Sequence, residues 1–292
     1  MALRLATRGS ALALAQAEWV AGLLGGAELV TVYSDGEPGD KGRFVRGVER
    51  ALLAGEADIG VHSAKDVPAE MGDGLAIAAV PAREDPADVW VGAGGSLEEV
   101  AEGARVGTAS LRRRAQLLAA RPDLEVGELH GNVDTRLRRL GEGELDAIVL
   151  AAAGLRRLGR GGEASFELPT ELMTPAAGQG ALILQARVDD ERALETAAAL
   201  GDERALLELT AERAVVSLLD ATCASPIGVR ATVEGERVAV EGFVGLPDGS
   251  EWVRDRIELE IEQPAAAGAL LAERLVAAGA RDLLERAERV AG

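Results

Sequence analysis

ADIGVHSAKDVP, residues 57–68, joins an apolar run to a short turn that is rich in polar side chains. The apolar run is typical of a buried strand. The turn that follows it carries His62, Ser63, Lys65 and Asp66. In open α/β sheets, ligands bind beyond the carboxyl ends of the strands. The stretch therefore predicts a buried strand that ends either in a polar exit to solvent or in the floor of a ligand site.

Strands and helices alternate around this stretch. Short apolar runs and helical patterns alternate over roughly the first 200 residues, which predicts mostly parallel sheets covered by helices. PAREDPADVW, residues 81–90, interrupts the alternation, and LPTELMTPAAGQG, residues 168–180, leads back into an apolar strand. Two crossings between two α/β units predict two domains that are joined by a double hinge and separated by a cleft. We place the hinges near residues 83–88 and 174–180.

A third unit begins near residue 203, where one long helix is followed by three strands and a helical C-terminus. This pattern predicts a small α+β domain. Within the second unit, SLEEVAEG at residues 96–103 predicts a helix that opens with a capping box of Ser96 and Glu99. The expected domains are residues 1–82 with 181–198, residues 87–174, and residues 203–292.

Composition excludes several classes of function. A formal net charge of −18 provides no positive field for a nucleic acid, and 2% aromatic residues provide no stacking platform for single strands. No apolar run approaches the roughly 20 residues of a membrane span, and the N-terminal residues do not read as a signal peptide. With Cys223 as the one cysteine, no internal disulfide can form. We therefore expect a cytoplasmic protein without nucleic-acid or membrane partners.

Basic residues are concentrated at the predicted strand ends. Residues 104–140 hold eight arginines against four acidic residues, and only two of the 31 basic residues of the chain are lysines, Lys41 and Lys65. This surplus predicts a site for a small, multiply charged anion such as a carboxylate or a phosphate. Residues 112–114 are consecutive on a helix, so not all of them face one ligand. Ser10 and Ser110 are also explained as helix caps.

Two side chains allow more than one interpretation. Asp66 is a carboxylate among cations; it would stabilise a bound species that develops positive charge, or else form an ion pair or cap a helix. Cys223 is either an inert small hydrophobic residue or a point of covalent attachment.

Motifs over nearly the whole chain resemble the porphobilinogen deaminase family. They are ATRGSALAL, GDKGRF, VHSAKDVP, GTASLRR, GNVDTRL, DAIVLAAAGLRRLG, PAAGQGA and CASPIG, in the order in which the family has them. The resemblance implies two α/β domains of the type II periplasmic-binding-protein kind, a double hinge and a small C-terminal α+β domain. It also implies a transferase of tetrapyrrole and heme biosynthesis, which condenses four porphobilinogen molecules head to tail with loss of ammonia and yields hydroxymethylbilane.

The resemblance further implies the roles of individual residues. A dipyrromethane cofactor would be held by a thioether to Cys223, and Asp66 and Lys65 would be catalytic. No metal is implied, and we expect a monomer whose partner is the small-molecule substrate. His130 stands where the family usually has an arginine. The other residues expected to contact the cofactor are Arg112, Arg113, Lys65, Ser63, Ser110, Thr108 and Asp66. The residues expected to bind substrate are Arg8, Ser10, Lys41, Arg136, Asn132, His130 and Gln179.

Two alternatives remain open at this point. A non-catalytic anion-binding protein of the periplasmic-binding type shares the hinge layout, although the Lys65–Asp66 pair argues against it. A degenerate homologue of the deaminases is the other alternative.

Overall fold

The computed structural model describes residues 2–33, 43–68, 71–222 and 224–291. Two predicted site residues, Lys41 and Cys223, lie outside the described residues. Within the described part of the chain, no helix is long and apolar enough to cross a membrane.

The first unit alternates strands with helices, as its hydrophobic pattern predicts. A 3-10 turn of three residues, Ala64–Asp66, follows the third strand. The elements are β1 (Arg4–Arg8), α1 (Ala11–Leu23), β2 (Glu28–Val32), α2 (Arg43–Leu53), β3 (Ile59–Ser63) and β4 (Leu75–Ala79).

The chain then passes into a second unit of the same kind and afterwards returns to the first sheet. The elements of the second unit are β5 (Asp88–Gly92), β6 (Arg105–Gly107), α3 (Leu111–Ala120), β7 (Glu125–Gly127), α4 (Val133–Gly141), β8 (Ala147–Ala151), α5 (Ala152–Arg157) and β9 (Phe166–Leu168). The returning elements are β10 (Leu182–Arg187) and α6 (Glu191–Ala198).

The two sheets share one topology. The strand order is β2-β1-β3-β10-β4 in the first sheet and β7-β6-β8-β5-β9 in the second. In each, four of the five strands run in one direction, and the strand in the fourth position, β10 or β5, runs antiparallel to them and enters directly from a crossing. We call residues 80–87 the first crossing segment and residues 169–181 the second crossing segment. Both predicted hinge positions fall in or beside these segments, while the hinge motion itself stays a prediction.

The C-terminal unit packs three helices around an antiparallel sheet of order β11-β12-β13. Its core includes Val215, Val240 and Leu271, all fully buried. The α/β fold with a small C-terminal α+β unit is therefore confirmed. The elements are α7 (Glu203–Leu218), β11 (Ile227–Glu234), β12 (Arg237–Gly245), β13 (Trp252–Glu260), α8 (Pro264–Ala277) and α9 (Ala280–Ala291).

The helix expected at residues 96–103 is wrong. The chain forms turns there, although Glu99 does accept a hydrogen bond from the backbone N–H of Gly95 at 2.9 Å. Glycines lie on both sides, at Gly95 and at Gly103, where φ is +71°. The interval between them is too short for a helix nucleus to gain from propagation.

Candidate active site

The Lys65–Asp66 turn is fixed against the second crossing segment. The backbone N–H of Ala64 donates to the carbonyl of Ala181 at 3.0 Å. Gly178, with φ at +73°, packs so closely that a Cβ there would lie 2.9 Å from the Cβ of Ala64 and 3.0 Å from the backbone nitrogen of Lys65. The crossing segment thus determines where the turn presents its side chains.

Lys65 and Asp66 are half-buried neighbours on this turn. The Lys65 ammonium donates to Oε1 of Gln179 at 3.3 Å. Burial, together with the positive charge of Arg113, lowers the pKa of Lys65 to about 8. Asp66 and Asp88 act in the opposite direction on that pKa.

Arg112 and Arg113 share one buried carboxylate, Asp88. Nη1 of Arg112 lies 2.7 Å from Oδ2 of Asp88 and 2.8 Å from the carbonyl of Thr174. Nε and Nη2 of Arg113 lie 3.0 Å and 2.7 Å from Oδ1 of Asp88, and its Nη1 donates to the carbonyl of Val149 at 2.9 Å. The two guanidinium groups hold the pKa of Asp88 well below its usual range, against the effect of burial. Both arginines are therefore set in place without a ligand.

Helix caps account for several predicted site residues of the second unit. Ser110 accepts a hydrogen bond from the N–H of Arg113 at 3.4 Å and caps α3. Buried Thr108 accepts from the N–H of Ser110 at 3.1 Å. Asn132 caps α4 by accepting from the N–H of Thr135 at 2.9 Å.

The remaining predicted residues differ in how far they join this arrangement. Arg136 donates from Nε to the carbonyl of Gly131 at 2.9 Å, and burial with the nearby charge of Arg113 lowers its pKa to about 10. Ser10 caps α1 by accepting from the N–H of Ala13 at 3.3 Å. Arg8 and Ser63 end strands β1 and β3.

His130 lies apart from this group. It is exposed and makes a 2.9 Å contact with the Glu128 carboxylate, so its described contact is with a surface acid and not with the arginines of α3.

Local charge counting overstated the cationic surplus. Six of the eight arginines in residues 104–140 pair with carboxylates, and four of the five carboxylates lie outside that range. Arg112 and Arg113 share Asp88, as described above. The other pairs are Arg105–Asp146, Arg121–Asp123, Arg138–Glu142 and Arg139–Glu144.

Sequence reasoning missed Asp88 and Arg157. Asp88 opens a strand whose other residues, Val-Trp-Val-Gly, carry no polar side-chain group except the indole N–H. A carboxylate in a buried strand requires charged partners, and that signal was available in the sequence. Arg157, at the end of α5, donates to the carbonyl of Gly180 at 2.7 Å, and burial lowers its pKa. It thereby joins the second unit to the second crossing segment.

The geometry defines a protein with two α/β units in which the Lys65–Asp66 turn is connected by hydrogen bonds through Gln179 and Asp88 to a preset arginine pair. The description "Porphobilinogen deaminase, dipyromethane cofactor binding domain" matches residues 3–195, and the C-terminal domain of the same family matches residues 206–277. The chain belongs to the porphobilinogen deaminase family.

Individual relatives agree along almost their full length. The chain is 42% identical to the porphobilinogen deaminase of Trichlorobacter lovleyi, over 97% of this chain and 96% of that one. It is 43% identical to the porphobilinogen deaminase of Syntrophus aciditrophicus, over 98% and 99%. Among solved structures, a TRAP periplasmic solute binding protein from Desulfovibrio salexigens is similar with a TM-score of 0.41 and 12% identity, over 70% of this chain and 73% of that one.

Proposed function

We propose that this chain is a transferase that condenses four porphobilinogen molecules head to tail, releases ammonia at each addition and yields hydroxymethylbilane. The observation that carries the proposal is the Lys65–Asp66 turn, linked through Gln179 and Asp88 to Arg112 and Arg113. Family membership supplies the substrate, and this arrangement supplies groups that suit its charge.

The donor set fits a dipyrromethane cofactor, which carries acetate and propionate groups. The candidate site includes four cations, Lys65, Arg112, Arg113 and Arg136, and two carboxylates, Asp66 and Asp88, which leaves a formal surplus of two positive charges. Guanidinium groups bind carboxylates in a bidentate manner, and here two of them are already oriented. When bound, the dipyrromethane supplies the pyrrole carbon to which the first substrate unit is joined.

In the proposed reaction, the aminomethyl group of porphobilinogen reacts in its ammonium form: the carbon–nitrogen bond breaks, its electron pair stays on nitrogen, and neutral ammonia leaves. The pyrrole nitrogen shares its electron pair with the carbon that has lost ammonia, so the remaining substrate is a cation. The residues of the site would hold this cation against a ring carbon of the preceding pyrrole, where the new carbon–carbon bond would form, and the proton displaced from that carbon would be taken up by the released ammonia. Asp66 lies beside Lys65 and would stabilise the transient cation, because a fixed carboxylate acts most strongly where water is scarce.

Attachment of the cofactor to Cys223, and action in the cytoplasm as a monomer, are parts of the same proposal. Cys223 is the one thiol of the chain, and Gly228, five residues after it, packs against Thr174. A Cβ at Gly228 would lie 2.5 Å from the Thr174 carbonyl, which also accepts from Arg112. The strand that follows Cys223 in the sequence, β11, thus begins next to the arginine pair.

The intact mass of the purified chain tests the proposal. Expressed in a host that makes porphobilinogen, the wild-type chain should exceed its sequence mass by two linked pyrroles, and peptide mapping should place the excess on residue 223. Cys223→Ser should remove the excess. A folded wild-type chain that carries no pyrrole and releases no ammonia from porphobilinogen would overturn the proposal and favour an anion-binding protein.

A further inference from the structure

Asp88 is a fully buried carboxylate that serves two units of the molecule. It opens β5 immediately after the first crossing segment, and it forms ion pairs with both Arg112 and Arg113 at the start of α3. The same Oδ1 that accepts from Arg113 also accepts from Nε2 of Gln179 at 2.9 Å. Gln179 lies on the second crossing segment, so Asp88 connects both crossings to the arginine pair.

The amide of Gln179 has one favourable orientation. Its Nε2 donates to Asp88 and to the carbonyl of Pro86 at 2.7 Å, while its Oε1 accepts from the Lys65 ammonium at 3.3 Å. If the amide were flipped, its NH2 group would face an ammonium and its oxygen would face two acceptors. Because Asp88 and Pro86 both accept from the NH2 group of Gln179, its oxygen is the atom that it presents to Lys65.

The charges around Lys65 nearly balance. Among the described residues, the charged groups that act on it are Asp66 on its own turn, Arg112 and Arg113 on α3, and Asp88 on β5. Two cations and two carboxylates thus act on the half-buried Lys65. Removal of either carboxylate would leave the arginines to repel the proton of Lys65.

We propose that Asp88, acting through Gln179, is a positioning residue that keeps Lys65 protonated and directed beside the arginine pair. The first and second units then present one continuous cationic surface to the carboxylates of the bound pyrroles. This role in binding rests on the proposed function. The physical link between Asp88 and Lys65 does not depend on it.

The lysine composition allows a direct test on the full chain. Because Lys41 and Lys65 are the only lysines, selective ¹³C labelling of lysine yields two sets of Cε–Hε signals, and Lys41→Arg assigns them. Titration of these signals with pH gives the midpoint of Lys65. The intact mass of each sample ensures that the wild-type and variant chains are compared in the same state of pyrrole loading.

Two substitutions interrupt the connection from Asp88 through Gln179 to Lys65 at different points, and a third is a matched control. Asp88→Asn removes the charge, and Gln179→Leu leaves the Asp88–arginine pairs intact while it breaks the connection to Lys65. Both should lower the Lys65 midpoint by roughly half a pH unit or more. Asp146→Asn also removes an arginine-paired carboxylate, but from an exposed pair with Arg105, and should leave the midpoint unchanged.

The alkaline limb of the pH–rate profile for ammonia release should move to lower pH together with the midpoint. A Lys65 midpoint in Gln179→Leu equal to that of the wild type would overturn the inference, even if Asp88→Asn failed to fold. Failure of the proposed function would appear differently. The two substitutions would lower the Lys65 midpoint as expected, but the wild-type chain would not react with porphobilinogen.

Discussion

The two α/β units have the same strand order, yet they carry opposite chemistry. In the first, the central strand β3 ends in Ser63 and continues into Ala64-Lys65-Asp66. In the second, the corresponding strand β8 ends in Ala151 and continues into Ala152-Ala153-Gly154, which is buried and uncharged. The shared topology provides two equivalent turns, and only the first of them carries ionisable side chains.

The helices that follow the strands in the second position of each sheet, β1 and β6, show the reverse. Ser10 and Ser110 cap α1 and α3 in the same way. After the cap, α1 begins with the uncharged sequence ALALAQA, whereas α3 begins with LRRRAQ. The first unit thus carries Lys65 and Asp66 on its turn, and the second carries Arg112 and Arg113 at the start of α3. Under the proposed function, stabilisation of the cation by Asp66 and binding of carboxylates by the arginine pair would come from different units.

The largest effect should come from the charged turn itself. We expect Asp66→Asn to lower kcat for ammonia release by roughly 1000-fold, because the developing cation loses its counter-charge. Pyrrole loading of a chain supplied with ready-made cofactor should persist. Asp73→Asn, an exposed acid in the same unit, is the control. Turnover of Asp66→Asn within tenfold of the wild type would contradict the assignment of chemistry to the first unit.

Replacement of Glu212, a residue of the C-terminal unit that contacts both crossing segments, should lower the unfolding free energy of the chain. Glu212 on α7 is fully buried and accepts from Arg83 on the first crossing segment at 2.8 Å and from Gly178 on the second at 2.6 Å. Glu212→Gln leaves the buried guanidinium of Arg83 without its closest counter-charge, which should cost about 3 kcal/mol of unfolding free energy. Denaturant unfolding measures the loss.

The control for that experiment is Glu144→Gln, which breaks an exposed pair with Arg139 and should change stability little. Equal stability of Glu212→Gln and the wild type would mean that the contact of Glu212 with the two crossing segments does not stabilise the folded chain.

The central strands themselves differ in a titratable group. His62 in β3 corresponds to Leu150 in β8, and both are buried. Nε2 of His62 lies 2.9 Å from Oε1 of Gln185, and burial, with a smaller contribution from the charge of Arg8, lowers its pKa to about 4. Because the unfolded chain takes up this proton near the ordinary pKa of about 6.5, stability is lost as the pH falls through that value.

We expect His62 to contribute about 2 kcal/mol to the loss of unfolding free energy between pH 7 and pH 5. Denaturant unfolding of the wild type and of His62→Gln at the two values isolates the contribution, since Gln does not titrate. Parallel losses in the two chains would show that His62 is not held neutral.

Local signals in the sequence predicted the parts of the site that depend on neighbours a few residues apart. The caps at Ser10 and Ser110 follow from side chains that reach N–H groups three residues on. Asn132 caps α4 in the same way, although it was expected to bind substrate. Strand–helix alternation and the two proline-containing crossings likewise followed from the order of elements. These features could be predicted because their physical causes lie within one turn of the chain.

Long-range pairing could not be predicted in the same way. Asp88 lies 24 residues before Arg112, and Gln179 lies 91 residues after Asp88. Gln179 was expected to bind substrate, yet its buried amide already contacts Lys65, Pro86 and Asp88. The partners meet only because the strand from each crossing inserts into its sheet in an antiparallel direction.

The smallest effect should be found at the rim of the second unit. His130 and Glu128 are both largely exposed, and exposed pairs contribute little to stability. His130→Ala should therefore leave the unfolding free energy unchanged and raise the KM for porphobilinogen by no more than about threefold, while Arg136→Ala, closer to Arg113, should raise it by about tenfold. Steady-state kinetics at constant ionic strength separates the two. A larger effect at His130 than at Arg136 would place the anion site at the exposed rim and not at the start of α3. The contrast drawn between the two units would then be wrong.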